Sequence, residues 1–169
     1  MTVTADAYVV AALVGGTGSA AVIDIKRRRI PNVVSLGLTA AGLALAASGA
    51  SGVSLRASLV GFAVAFVLML PGHVLGATGA GDVKLFAAAG AVLGIGRVVE
   101  AFLCVAIAGG ILALVVAVQR GRLARTLEHT ARLCGTPLET RRTIESPAEH
   151  NRFPYGPAIA IGSVVAALI

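Results

Sequence analysis

Asp24 and Asp82 stand at the water-facing ends of apolar segments, in a chain with only eight acidic residues. Asp24 opens the run Asp24-Ile25-Lys26-Arg27-Arg28-Arg29-Ile30-Pro31-Asn32, and Asp82 closes Gly79-Ala80-Gly81-Asp82. An ionisable side chain at the edge of a membrane span is costly, which makes it a candidate functional group. Two carboxylates brought close together do not both ionise easily; they share a proton and titrate as a pair. The ionised member can then take a proton from water while the protonated member gives its own to a carbonyl oxygen. That hydrolytic chemistry needs no metal, no cofactor and no nucleophilic Ser or Cys. No Ser-His-Asp constellation is one that the spans would gather.

The elements that must position these groups are apolar helices. Of the 169 residues, 57% are hydrophobic and only 13% are charged. A soluble domain carries about a quarter charged residues, so the composition reads as an all-α, polytopic membrane protein forming one domain over 1–169. A bilayer core of about 30 Å takes roughly 20 apolar residues per helix. Six spans are expected: Tyr8 to Ile25, Val33 to Ser48, Ala57 to Leu75, Asp82 to Ile95, Ala101 to Val118, and Pro154 to Ile169. Gly72-x-x-x-Gly76 and Gly90-x-x-x-Gly94 have the small-residue spacing that lets membrane helices approach closely. The fourth span is short. At 1.5 Å per residue it covers only about 20 Å, so its start must be sunk below the surface, placing Asp82 in a water-reachable recess. Gly76, Gly79 and Gly81 supply the backbone freedom expected there.

Charge sets the orientation. Twelve of the fourteen basic residues fall on one side of this scheme: Lys26 to Arg29, Lys84, and seven arginines of a polar loop over about 119–153. Only Arg56 and Arg97 fall on the other. Positive residues stay in the cytoplasm, so both termini lie outside and both aspartates face the cytoplasmic side of the plasma (inner) membrane. The net charge of +6 is thereby assigned to topology and to anionic lipid; with no folded basic domain to carry a nucleic-acid footprint, no nucleic-acid partner is expected. The first segment is not read as a secretory signal, because its positive charge follows the apolar stretch. In the polar loop, Leu123, Leu127 and Ala131 recur among Arg122, Arg125 and Arg132, the pattern of a short amphipathic helix on the inner surface; a plain topology-setting loop accounts for the same charges. Cys104 and Cys134 share no metal-ligand spacing, and His73 reads as a packed or interfacial residue.

On the residues alone, a carboxylate pair also suits a small ion-coupled transporter with Asp24 and Asp82 as its ion path. Transporter sites usually lie near the midplane between internal repeats, whereas these acids share one face and no repeat is evident.

Three stretches resemble the type IV prepilin peptidases, membrane-embedded aspartic proteases with a Gly-x-Gly-Asp signature. They are Asp24 with the following Ile30-Pro31-Asn32; Gly79-Ala80-Gly81-Asp82-Val83-Lys84-Leu85 continuing through Gly90 and Gly94; and Pro154-Tyr155-Gly156-Pro157. The resemblance implies that Asp24 and Asp82 are the two catalytic aspartates. It implies an aspartic-type endopeptidase that removes the basic leader of a prepilin or pilin-like protein in a type IV pilus or secretion system. The cut falls at the cytoplasmic face, after a glycine and before the pilin's apolar helix. No cofactor and no metal are implied. Gly79, Gly81, Lys84, Pro31, Asn32, Pro154, Gly156 and Pro157 are the expected active-site supports or substrate contacts. Pro31 starts the second helix, Lys84 either holds an acidic substrate group, steadies the pair's charge or simply snorkels its ammonium to the surface, and the prolines restrict the start of the last span. The chain resembles the short, tight-adherence (Flp-type) members or a minimal leader peptidase of a related secretion system, and is similar to the archaeal preflagellin peptidases; without the cysteine-rich region of the longer members, methyl transfer is not expected.

Overall fold

The structure, a computed structural model, describes residues 3–119 and 155–169. Pro154, Cys134, His129, His150, and the loop with its amphipathic segment lie outside the described residues. Among those described, regular structure is helical only: α1 (Val3–Arg27), α2 (Asn32–Ala47), α3 (Leu55–Val74), α4 (Ala80–Leu93), α5 (Ile95–Gln119) and α6 (Gly156–Leu168). α1, α3 and α5 contain stretches long and apolar enough to cross a membrane, and α2 and α6 are shorter apolar helices.

The distribution of side chains is that of a body surrounded by lipid. Thr17, Ser58 and Ser163 are fully buried, while Val67, Leu103, Ile107 and Ile111 stand exposed around the outside. In water such an apolar belt would be a liability; in hydrocarbon it is the ordinary surface, and small residues pack inside. The Ser58 hydroxyl donates to the Ala91 carbonyl at 2.6 Å, joining α3 to α4 within that interior.

α4 is the axis of the bundle. From Asp82 to Leu93 every residue but Lys84 is buried. α2 and α3 pack along it, while α6 packs chiefly against α1 and α5. Its 14 residues extend only about 21 Å at 1.5 Å per residue, less than a bilayer core. The helix starts at Ala80, two residues before the expected start, so Asp82 lies inside its first turn.

Two sequence expectations are corrected here. α5 begins at Ile95, not near Ala101. Arg97 reads as lying between spans, but its guanidinium reaches Asp6 at 3.3 Å and the Ala167 carbonyl at 3.1 Å, tying α5 to α1 and α6. The second concerns the Gly72 and Gly76 pair. Gly76 and Gly94 have positive φ, 76° and 71°, and end helices through backbone that only glycine adopts without strain. Gly72 lies against Thr78. Gly90 and Gly94 do sit at a helix crossing, both against Gly61 of α3.

The close crossings also use glycines outside these pairs. A Cβ on Gly61 would strike the backbone of Gly90 and Gly94, one on Gly42 the backbone of Ala91 and Val92, and one on Gly162 the backbone of Val105. Backbone cannot swing aside as a side-chain tip does. Gly61→Ala and Gly162→Ala are each expected to destabilise the bundle by about 1–3 kcal/mol, the usual cost of overpacking. Thermal unfolding in detergent, read against Gly15→Ala, checks this, since a Cβ at Gly15 meets nothing within 4 Å.

Candidate active site

Asp24 lies in the last turn of α1. The helix ends when the Arg28 N–H donates to the Asp24 carbonyl at 2.7 Å and Arg28 turns to φ 51°. A left-handed arginine is uncommon, and it sends the next residues away from the helix axis. Pro31, at φ −65° and ψ 136°, is extended and directly precedes α2. Ile30 thereby lands on the start of α4, where a Cβ on Gly81 would lie 3.2 Å from the Ile30 Cβ. The basic residues Lys26 and Arg27 occupy the last turn of α1, the negative end of its dipole.

Asp82 is held by its own helix. The Gly79 N–H donates to Asp82 Oδ2 at 2.9 Å, and the N–H groups of Asp82 and Val83 donate back to the Gly79 carbonyl. Gly79 has φ −77°, which any residue adopts. Its use is therefore room rather than backbone freedom: a Cβ there would lie 3.1 Å from Asp82 Oδ2. The freedom expected of all three glycines is needed only at Gly76, where α3 turns toward α4.

The start of the last helix hydrogen-bonds Asp24. The Gly156 N–H, at the start of α6, donates to Asp24 Oδ2 at 3.0 Å across 132 positions of sequence. Its neighbour Tyr155 lies within reach of the Asp82 charge. The Tyr155 ring covers Gly109 of α5 so closely that a Cβ there would fall 2.6 Å from its hydroxyl. Asp24 and Asp82 are only 6% and 8% exposed. Each accepts an N–H at the positive end of a helix, Asp24 from α6 and Asp82 from α4, which stabilises negative charge there.

Lys84 and Asn32 flank this site. The Lys84 ammonium donates to Asn32 Oδ1 at 3.1 Å, and both side chains are exposed. Pro157 is in the first turn of α6, where a missing N–H costs nothing. His73 is exposed, with Nδ1 3.1 Å from the Thr78 carbonyl oxygen. Cys104 is a half-buried free thiol on α5. Among the described residues, no group of three His, Cys, Asp or Glu side chains gathers as a metal ion requires. Sequence reasoning passed over Tyr155 and Ile30 as site residues, although both lie inside stretches it singled out. A half-polar aromatic between two prolines was the available signal for Tyr155.

A helical bundle with an apolar outer belt and two buried carboxylates defines a membrane protein with acids set into its interior. The comparisons say which kind. Residues 11–114 match the type IV leader peptidase family, and the chain belongs to that family. The matched stretch contains both Asp24 and Asp82 and ends before Tyr155. No curated protein and no solved structure matches the chain. Family membership makes the protein a peptidase.

Proposed function

We propose that the protein is an aspartic endopeptidase that removes the basic leader of a prepilin or pilin-like protein at the cytoplasmic face of the plasma membrane. One observation carries the reading: Asp24 and Asp82, both inside the matched stretch, are buried at one end of the bundle and linked through the Tyr155–Gly156 start of α6. In this reading all six helices are set in the bilayer, with both termini outside, which puts the acid pair on the side of Lys26 to Arg29. The opposite end carries the Asp6–Arg97 pair.

The reaction follows from a shared proton. The ionised carboxylate takes a proton from a water molecule lying between the acids, and the resulting hydroxide attacks the peptide carbonyl. The protonated carboxylate gives its proton to the carbonyl oxygen, forming the neutral tetrahedral intermediate. Its collapse returns a proton to the leaving amine and restores the pair. Gly156 and Gly79 hold the two carboxylates while their protonation alternates. The strand being cut must be extended at its carbonyl, and the exposed Gly79 and Ala80 leave the approach to Asp82 low-walled. An ion path is less well supported, because a pair at one end of the bundle is not at the midplane where transporter sites lie.

The test is co-expression with a tagged pilin-like protein encoded nearby, with the new N-terminus read by mass spectrometry. A leader removed by the wild type and retained with Asp82→Asn is expected. Intact leader with both, when both proteins are inserted, would refute the assignment for that substrate.

A further inference from the structure

A cavity of about 410 Å³, within the roughly 300–1,000 Å³ of ligand pockets, is lined by residues of α2, α3 and α4, with Asp82 outside its lining. It exists because α2 and α3 both lie along α4 but touch each other little, leaving a wedge between them. Leu36, Phe62 and Phe66 make its walls apolar, and Ser35 and Thr39 add hydroxyls along α2. Its mouth is polar: Lys84, the one charged residue lining it, hydrogen-bonds Asn32 at the very start of α2. The wedge thus begins at the end of the bundle that holds the acid pair. From Asn32 to Thr39 it descends about 10 Å, at 1.5 Å per residue.

Lys84 and Asp82 are two positions apart in one helical turn, so their side chains leave α4 on different sides. A chain extending from the wedge to Asp82 has to cross only the start of α4, over the exposed Gly79 and Ala80. A helix is about 10–12 Å across, which an extended strand covers in roughly three or four residues at about 3.3 Å each. A peptide cut at Asp82 and continuing into the membrane as an apolar helix can therefore enter the wedge roughly three or four residues after the cut. The apolar walls match such a helix, and the ammonium at the mouth matches an oxygen acceptor where it begins.

We propose that the wedge between α2 and α3 seats the beginning of the substrate's apolar helix, with Lys84 and Asn32 at the mouth holding a substrate carboxylate or carbonyl oxygen. This rests on the leader-peptidase reading and adds where the substrate lies.

Site-specific photocrosslinking tests it. A benzophenone side chain replaces Leu36, which is 67% exposed, in the Asp82→Asn chain so that the substrate stays uncut. Ile107, 64% exposed on α5, carries the same group as control. The Leu36 position is expected to capture the apolar segment of the co-expressed substrate and the Ile107 position is not. In parallel, Leu36→Trp, which narrows the wedge, is expected to raise KM for the full-length substrate about 10- to 100-fold, the range for misfit in an apolar pocket, with kcat retained. Capture of phospholipid alone at Leu36, or equal capture at both positions, overturns the inference while wild-type cleavage leaves the peptidase standing. Capture at Leu36 with no cleavage by the wild type supports the docking site and overturns the peptidase.

Discussion

Asp24→Asn and Asp82→Asn are each expected to lower cleavage of a full-length substrate by about 10²–10⁴-fold, the range over which a positioned acid or base contributes. The substitutions are chosen for what they keep. Asparagine retains an oxygen that accepts from the Gly156 N–H at position 24 and from the Gly79 N–H at position 82. Insertion and thermal stability should therefore stay close to wild type while the chemistry is lost. The double variant should be little worse than either single one, because groups that act as a unit are not additive. The same pair sets the pH profile. Activity needs one proton on two carboxylates, so it falls at low pH as the second carboxylate is protonated and at high pH as the shared proton leaves. His73→Gln should leave both limbs unchanged. Wild-type cleavage by either Asn variant, or a limb that disappears with His73, would show that the pair is not the catalyst.

Gly156→Ala is expected to reduce kcat by roughly 10- to 100-fold, since displacement of a catalytic group by a fraction of an ångström to 1 Å has effects of that order. A Cβ at this position would lie 3.0 Å from Asp24 Oδ2 and 3.1 Å from Asp24 Cβ. The α6 backbone is fixed by its packing on α1 and α5, so the carboxylate is the partner that gives way. The N–H that holds Asp24 is still present in the alanine variant, which separates a displaced acid from a lost hydrogen bond. Gly15→Ala on the same helix as Asp24 is the control, having open space for its Cβ. Equal kcat in the two variants would mean that the Asp24 position tolerates this shift.

Much of the architecture was legible in the chain because a bilayer leaves a backbone few choices. Each apolar run had to satisfy its own N–H and C=O groups, and a helix is the way a single run does so. The expected starts of α2 and α3 fall within two residues of the observed ones. Reading failed where a polar residue found a distant partner. Arg97 looked like a loop residue until Asp6 and Ala167 were placed beside it. It failed again at the glycines, since spacing does not distinguish a glycine that turns the chain, as at Gly76, from one that admits a neighbouring helix, as at Gly61.

The same division runs through the site. Asp24 and Asp82 announced themselves in sequence, because a carboxylate at the edge of an apolar run is too costly to be incidental. That Gly156 holds Asp24 across 132 positions, that Tyr155 comes within reach of the Asp82 charge, and that Lys84 meets Asn32 across 52 positions were decided only when the other five helices closed around α4. Local sequence determines which segments are helices and which side chains are expensive. Which of those side chains meet depends on the order in which helices surround one another, and that order is set by packing among small residues scattered along the whole chain.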